Sequence, residues 1–276
     1  MARLSPPAGF VEQRRGRVLW WLKVGWESLL PDLVPQDLAE QSPHSSILTP
    51  HSSLIISGGR GPIYRLELET QGTLIVRPYH RGGFVRHFAR NLYWDYPPRP
   101  CVELSCTEEA RRRGVPTVEV VGARVEQTIA GLYRGWLMTR EATGFHDLWS
   151  WLQTEKSTYV RQQTLSAVAQ VIAHMHHVGV AHADLNPTNI LVCTDNESPQ
   201  ALLLDFDRAR IFSGLVPPHL QEASLRRFRR FFGKHDTREE RLTDAEFAYF
   251  YQRYHADLLG TRHPQHPAQN DSRLHR

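Results

Sequence analysis

His182-Ala183-Asp184-Leu185-Asn186-Pro187-Thr188-Asn189-Ile190-Leu191, followed after a short turn by Leu203-Leu204-Asp205-Phe206-Asp207, is the stretch that decides how this chain folds. The apolar runs Ile190-Leu191-Val192 and Leu202-Leu203-Leu204 read as two short buried strands. Between them Thr194-Asp195-Asn196-Glu197-Ser198-Pro199 supplies turn residues, so the strands can pair and return Asp205 to the side of Asn189. A phosphoryl acceptor hydroxyl needs one carboxylate to orient it and take its proton. Nucleotide phosphates need magnesium held by oxygen ligands, commonly a carboxamide and a carboxylate. Asp184 suits the first task, and Asn189 and Asp205 suit the second. The rival reading is an ordinary hairpin whose Asp and Asn cap turns; the joint match of so many typed positions across two strands counts against it.

Composition agrees with an enzyme of this kind. A chain of 276 residues buries a substantial core and suggests one or two compact domains. With 41% hydrophobic residues it carries no apolar run near the roughly 20 residues that a membrane-spanning helix requires. The first residues show no secretory pattern, since Phe10 to Arg17 is polar and charged and Val18-Leu19-Trp20-Trp21-Leu22 is interrupted by Lys23. Cys101, Cys106 and Cys193 have no metal spacing and fit a reducing cytoplasm. The net charge is +4 and the pI about 9.1, almost all of it arginine, with Lys23, Lys156 and Lys234 the only lysines. Either composition alone or an anionic partner accounts for this; nucleotide phosphates, an acidic sugar or an anionic membrane surface qualify, and no nucleic acid is expected.

Four segments are expected: an extension over 1–50, a strand-rich part over 51–138, a helix-rich part over 139–262 carrying the motif, and a polar, disordered tail over 263–276. Pro31, Pro35, Pro43 and Pro50 favour loop in the extension, and its aromatic stretch Trp20 to Trp26 is expected to pack on the body rather than at a membrane. Strands are expected at Ser53 to Ile56, Tyr64 to Leu68 and Thr73 to Arg77. Between the first two lie Gly58, Gly59 and Gly61, which let backbone amides approach phosphates, although such glycines also make ordinary hairpin turns. Arg77 stands where a phosphate-contacting lysine is familiar, and no lysine occurs from residue 24 to 155 to replace it. Its expected ion-pair partner is Glu103, on a helix from Arg99 to Arg113 closed by Gly114 and Val115-Pro116. The plain alternative leaves both as solvent-facing charges on unrelated elements. Thr117 to Val121, a turn at Gly122, and Gly135 to Glu141 read as the last strands of this part and the connector to the next. Tyr159 to His177 is a helix with Leu165, Val168, Ile172 and Met175 on one face, a cap at Ser157 or Thr158, and Gly179 at its end. His174, His176 and His177 lack zinc spacing, and His182 is expected to orient the loop backbone.

The combination of Gly58-Gly59-Arg60-Gly61, Val76-Arg77-Pro78-Tyr79-His80-Arg81-Gly82-Gly83, Arg99-Pro100 with Glu103, Arg113-Gly114-Val115-Pro116, His182-Ala183-Asp184-Leu185-Asn186 and Asp205-Phe206-Asp207-Arg208 resembles the Kdo kinase family, the 3-deoxy-D-manno-octulosonic acid kinases of lipopolysaccharide assembly. The resemblance covers roughly residues 50 to 235, ending on a basic segment, Leu225 to Arg230, similar to the family's closing helix. It implies an α+β, bilobal protein-kinase-like fold with a small antiparallel β-rich N-terminal lobe and a larger, mainly helical C-terminal lobe. It also implies ATP and Mg2+ as cofactors and transfer to the 4-hydroxyl of Kdo on a Kdo-bearing lipid A precursor, at the cytoplasmic face of the bacterial inner membrane as a peripheral protein. On that basis Asp184 is the catalytic base, Asn189 and Asp205 are metal ligands, and Gly58, Gly59, Gly61, Arg77 and Glu103 serve the nucleotide. General protein kinases carry glycine at Asp207, lysine at Arg77 and a long activation segment ending in Ala-Pro-Glu, and this chain departs from all three. Asp207 is either a further metal ligand or a turn stabiliser. Arg81, Arg86 and Arg90 either meet acceptor anions or form a solvated basic face, and with Arg226, Arg227, Arg229 and Arg230 they offer charge to an anionic membrane. The alternatives are a kinase-fold phosphotransferase for another core sugar such as heptose, a small molecule or a protein, and an inactive scaffold, which the presence of Asp184, Asn189 and Asp205 together disfavours.

Overall fold

The computed structural model describes residues 4–27, 52–57, 61–68, 71–79, 92–128, 131–155, 157–195, 198–236 and 241–260. Strands β3 (Ser52–Ser57), β4 (Gly61–Leu68) and β5 (Gly72–Pro78) run as an antiparallel meander, close to the three segments whose β-branched and alternating residues predict them. β5 pairs with β7 (Tyr133–Arg140), and β7 with β6 (Val120–Gln127).

Two expectations are corrected in this part. Within the supposed extension, Phe10–Arg15 and Val18–Lys23 are strands β1 and β2, which pair around Gly16-Arg17 and dock β2 on the edge of β6. Among the described residues this gives a seven-stranded antiparallel sheet ordered β1-β2-β6-β7-β5-β4-β3. The prolines that favour loop begin only at Pro31; before them stand valine and tryptophan, which suit a pleated, half-buried surface. Pairing with β2 also removes β6 as an open edge. Gly122, expected as a turn, lies inside β6 at a register shift. A Cβ there would stand 3.1 Å from Met138 Cε and from Trp21 O, so close packing across the sheet favours glycine.

The two faces of the sheet have separate cores. One face holds Trp20, Leu22, Tyr64, Leu66, Leu74, Val76, Trp136 and Met138, with Trp26 against them. Across it Trp20, Arg124 and Trp136 stand in one row, and the buried Arg124 guanidinium lies 4.3 Å from the Trp136 ring centre and pairs with Glu126 at 3.1 Å. The other face is covered by helix α1 (Arg99–Arg112), whose Cys101 and Leu104 pack among Trp21, Tyr93, Val120, Ala123 and Leu137. Pro100 approaches β7 so closely that a Cβ on Gly135 would fall 2.4 Å from its Cγ. Glycine at that position therefore sets the seat of α1.

Below the sheet, Asp147 caps the short helix α2 (Leu148–Thr154) by accepting from Ser150 N at 2.9 Å, and Ser157 caps α3 (Thr158–His177). The α3 face Leu165, Val168, Ile172 and Met175 is fully buried, as its spacing predicts, against α5 (Asp244–Leu258) and the strands below. Helix α4 (Pro218–His235) and α5 meet through Phe228 and Phe250, stacked 5.1 Å apart. Arg161, almost wholly buried, binds Glu246 Oε1 at 2.6 Å and Leu152 O at 2.9 Å, joining the starts of α3 and α5 to the end of α2. After α3 come β9 (Val180–Ala181), a 3-10 turn Pro187–Asn189, and the hairpin β10 (Ile190–Cys193) and β11 (Gln200–Leu203), with β8 (His146–Asp147) alongside β10. The segment after Asp207 is brief: β12 (Arg210–Ile211) pairs with β9, and α4 begins at Pro218. The fold is α+β and kinase-like, a β-rich upper part over a mainly helical lower one.

His176, fully buried at the end of α3, makes a 2.7 Å hydrogen bond to Tyr254 on α5. Burial drives its pKa down to about 3, with a smaller electrostatic contribution from His182 in the same direction. The unfolded chain therefore binds a proton at this position that the folded chain refuses, so stability falls as pH drops below about 6.5 and continues to fall toward 3. We expect this one group to cost about 2 kcal/mol between pH 7 and 5. Thermal melting across that range should show a visibly shallower decline in His176→Gln than in the wild type; equal slopes would exclude the assignment.

Candidate active site

Asp184 sits at the centre of a loop held by its own polar groups. His182 Nδ1 accepts from Asp184 N at 3.1 Å, and its Nε2 lies 2.7 Å from Leu204 O, which fixes the proton on Nε2. Burial holds the His182 pKa down, so the ring is neutral and performs the backbone-orienting task expected of it. Asn189 Nδ2 donates to Asp184 O at 2.8 Å, and Leu204 N donates to Asn189 O at 2.9 Å. The β10–β11 hairpin, in register from Ile190↔Leu203 to Cys193↔Gln200, therefore delivers Asp205 to the loop that carries Asp184 and Asn189. Asp205 adopts φ 63°, a conformation asparagine and aspartate tolerate better than other side-chain-bearing residues, and this turn is where the chain leaves the strand.

The upper contribution comes from β5 and α1. Arg77 and Tyr79 lie two residues apart on the α1-facing side of the sheet, and both donate to Glu103, which is 1% exposed: Arg77 Nη2 to Oε1 and Tyr79 Oη to Oε2. Burial pushes the Glu103 carboxyl up, while Arg77 and the Tyr79 hydroxyl pull it back. An arginine stays protonated, so the two stand as an ion pair. Burial works against the Arg77 charge as well, but Glu103, with Tyr79 and Asp205 adding, outweighs it and raises the guanidinium pKa. Arg77 Nη1 reaches 3.8 Å from Asp205 Oδ2, so one side chain spans from helix α1 to the lower loop.

Of the residues singled out by sequence, Asp184, Asn189, Asp205, Arg77 and Glu103 are thus brought together. Gly61 opens β4 opposite Ser57, while Gly58 and Gly59, like Arg81, Arg86 and Arg90, lie outside the described residues. Asp207 pairs with Arg99, the first residue of α1. Three neighbours escaped the sequence reading. Asn186 donates to Asp184 Oδ2 at 3.2 Å and accepts from Thr188 N at 3.0 Å; its place two residues past the aspartate was the available signal. Tyr79 and Arg99 act through contacts that no local pattern announces. Among the described residues no group of three or more His, Cys, Asp and Glu is set to hold a metal, and His176 is committed to Tyr254.

The arrangement offers a carboxylate held by its loop and a second carboxylate beside a carboxamide, under a guanidinium fixed by a buried acid. A hydroxyl nucleophile and a polyphosphate are the groups such a site handles. The model of the lipopolysaccharide kinase (Kdo/WaaP) family matches residues 57–254. The chain belongs to that family. It is a phosphotransferase, a kinase of lipopolysaccharide core assembly, and its family implies use of ATP. A 3-deoxy-D-manno-octulosonic acid kinase of Pasteurella multocida is 31% identical over 59% of this chain and 67% of its own length. Proteins of the same description from Haemophilus influenzae and Xylella fastidiosa are 26% and 28% identical over 71% of this chain, covering 82% and 75% of theirs. A solved structure described as WaaP in complex with acyl carrier protein aligns over 73% of this chain and 77% of its own, at 19% identity and a TM-score of 0.48.

Replacing Glu103 with alanine would leave the partly exposed Arg77 guanidinium with the more distant Asp205 and take the acceptor from the Tyr79 hydroxyl. We expect a loss of about 2 kcal/mol in urea denaturation, the scale of a hydrogen bond to a charged group. Asn186→Ala, which removes a long hydrogen bond to the Asp184 carboxylate and the neutral ones at the turn, should cost about 1 kcal/mol. Equal small losses would show that Glu103 is not bearing a buried charge.

Proposed function

We propose that this kinase transfers the γ-phosphoryl group of ATP to the 4-hydroxyl of Kdo on a Kdo-bearing lipid A precursor. The reading is supported most directly by the grouping of Asp184, Asn189 and Asp205 around the hydrogen bond from Asn189 Nδ2 to Asp184 O. The names carried by the relatives supply the acceptor.

In this reading Asp184 accepts a hydrogen bond from the acceptor hydroxyl, orients its oxygen toward the γ-phosphorus and takes the proton as the new P–O bond forms and the bond from the γ-phosphorus to the β–γ bridging oxygen breaks, releasing ADP. Asn186, bonded to the Asp184 carboxylate, holds that carboxylate in one orientation. Arg77, kept charged and directed by Glu103, contacts the nucleotide phosphates; its planar fork can bind two phosphate oxygens where lysine offers a point charge. In the same reading Gly58 and Gly59, by their place in the sequence, and Gly61, which opens β4, serve the same phosphates. Asn189 and Asp205 suit Mg2+: the Asn189 amide nitrogen is spent on Asp184 O, its oxygen is the hard donor such an ion prefers, and the partly exposed Asp205 carboxylate is the second. When bound, the ion supplies neutralisation of phosphate charge.

The central experiment is transfer of labelled γ-phosphate from ATP with magnesium to purified Kdo-bearing lipid A precursor, beside a panel containing heptose-terminated acceptors and a generic protein substrate. Label in the Kdo lipid, lost by at least about a thousandfold in Asp184→Ala, is the expected result. Label in another acceptor alone would move the enzyme to a different substrate.

The same reading places the enzyme at the cytoplasmic face of the bacterial inner membrane. Among the described residues no helix is long and apolar enough to cross a membrane, and Arg226, Arg229 and Arg230 are exposed on α4. Arginines on an exposed helix face attract anionic lipid by screened electrostatics. Sedimentation with vesicles containing anionic lipid should be strong at low salt and fall steeply as salt rises; equal recovery with neutral vesicles would remove the membrane role from these arginines.

A further inference from the structure

We propose that Asp207 is an anchor rather than a metal ligand: with Arg99 it forms a clasp that ties the first turn of α1 to the Asp205-Phe206-Asp207 turn. Arg99 and Asp207 are then positioning residues for Arg77, Glu103 and Asp205. The proposal rests on the reading of those three as the nucleotide and metal site.

The geometry forms a closed circuit. Asp205 faces Arg77 at 3.8 Å, Arg77 pairs with Glu103, and Glu103 accepts from Tyr79. The Tyr79 ring lies between two guanidinium groups, 5.2 Å from Arg77 and 5.6 Å from Arg99. Arg99 then returns to Asp207, two residues from the start. Both Asp207 carboxylate oxygens are engaged: Oδ2 by Arg99 Nη2, and Oδ1 by Nε at 3.4 Å. Asp207 is 13% exposed against 24% for Asp205, so Asp205 is the more accessible of the two carboxylates. Arg99 is itself held flat, with Tyr93 on another side at 5.3 Å and its backbone N–H donating to Tyr133 Oη at 2.9 Å.

The clasp is the first of a row. Farther along α1, Cys106 Sγ lies 3.8 Å from Ala209 O, and Arg113, just past the helix, donates to Phe212 O and to Val178 O. Helix α1 therefore touches the segment after Asp205 at its start, middle and end. That segment is short and pinned, since β12 pairs with β9 and Val216 N donates to His176 O at 2.9 Å. These contacts hold the segment against the elements that flank the site. The fold thus assembles the Arg77–Glu103 pair by itself, and a carboxylate at position 207 is what a glycine there could not provide.

The test uses the full chain and needs no acceptor. Asp207→Ala, Arg99→Ala and the double variant are compared with the wild type for MgATP affinity, for the Mg2+ concentration giving half-maximal binding at saturating nucleotide, and for hydrogen exchange of the α1 amides. Both single variants should weaken MgATP by the same factor, about 10-fold to 100-fold, as loss of an outer partner of a metal site does. The double variant should be no worse than either, any rise in the Mg2+ midpoint should be the same in both single variants, and the first turn of α1 should exchange faster in all three. Arg112→Ala, at the exposed far end of α1, serves as the control expected to match the wild type. A raised Mg2+ midpoint in Asp207→Ala with wild-type behaviour in Arg99→Ala would make Asp207 a ligand and overturn the clasp, as would losses that multiply in the double variant. Should an alanine variant fail to give a melting transition, Asp207→Asn and Arg99→Lys keep the side-chain volume while losing the fork, and the same equality is required of them. Wild-type protein that did not bind MgATP would refute the nucleotide reading, whereas unchanged α1 exchange in the variants would refute the clasp.

Discussion

A carboxylate almost wholly removed from water at Glu103 is the constraint from which the rest of the cleft follows. Taking such a charge out of water costs several kcal/mol unless a cation and further hydrogen bonds replace its hydration. Arg77 and Tyr79 do so, and both are available because the backbone continues alongside β7 just past the end of β5, where Tyr79 N donates to Gly135 O at 2.8 Å. That requirement fixes α1 against the sheet in position and rotation. Pro100 against Gly135 sets the depth of the contact, and Leu104 among Tyr93, Val120 and Leu137 fills the space that remains. Displacing the helix would expose apolar surface and strand two charges together, so the energy of the core and the geometry of the site are one problem.

The lower half meets the opposite difficulty, a loop dense in polar backbone inside a protein. Neutral His182 answers it by accepting from one amide and donating to one carbonyl, while Asn186 and Asn189 take up the Asp184 carbonyl and one of its carboxylate oxygens. Phe206 is buried beneath His182 at 5.3 Å between ring centres, so the turn carrying Asp205 is anchored by an apolar side chain. Each group that would touch substrate is therefore held by one that does not.

The arginine excess also has a structural share. Arg77, Arg99, Arg124, Arg161 and Arg241 are used for flat, multidentate or stacked contacts, the last lying 4.1 Å from the Trp149 ring centre. Ammonium groups could not reproduce these contacts, because a guanidinium both stacks on a ring and spreads its donors in a plane. The exposed arginines of α4 are a separate population, with Arg229 paired to Asp244.

The sequence by itself determined the elements whose reasons are local. The hairpin bearing Asn189 and Asp205, the helix from Thr158 to His177 and the three strands ending at Arg77 are legible because alternation, helical spacing, caps and turn residues all act within a few residues. The pairing of Arg77 with Glu103 was legible as well, through the order of the motifs. Tertiary structure alone decided what depends on distant partners. Val18 to Lys23 becomes part of the sheet because β6 offers it an edge, and Gly122 continues a strand because it pairs with Leu22 on one side and Met138 on the other. Asp207 meets Arg99 across 108 residues of chain, a distance over which no propensity or period carries information. Only closure of the loop between them, driven by burial elsewhere, makes those two charges neighbours.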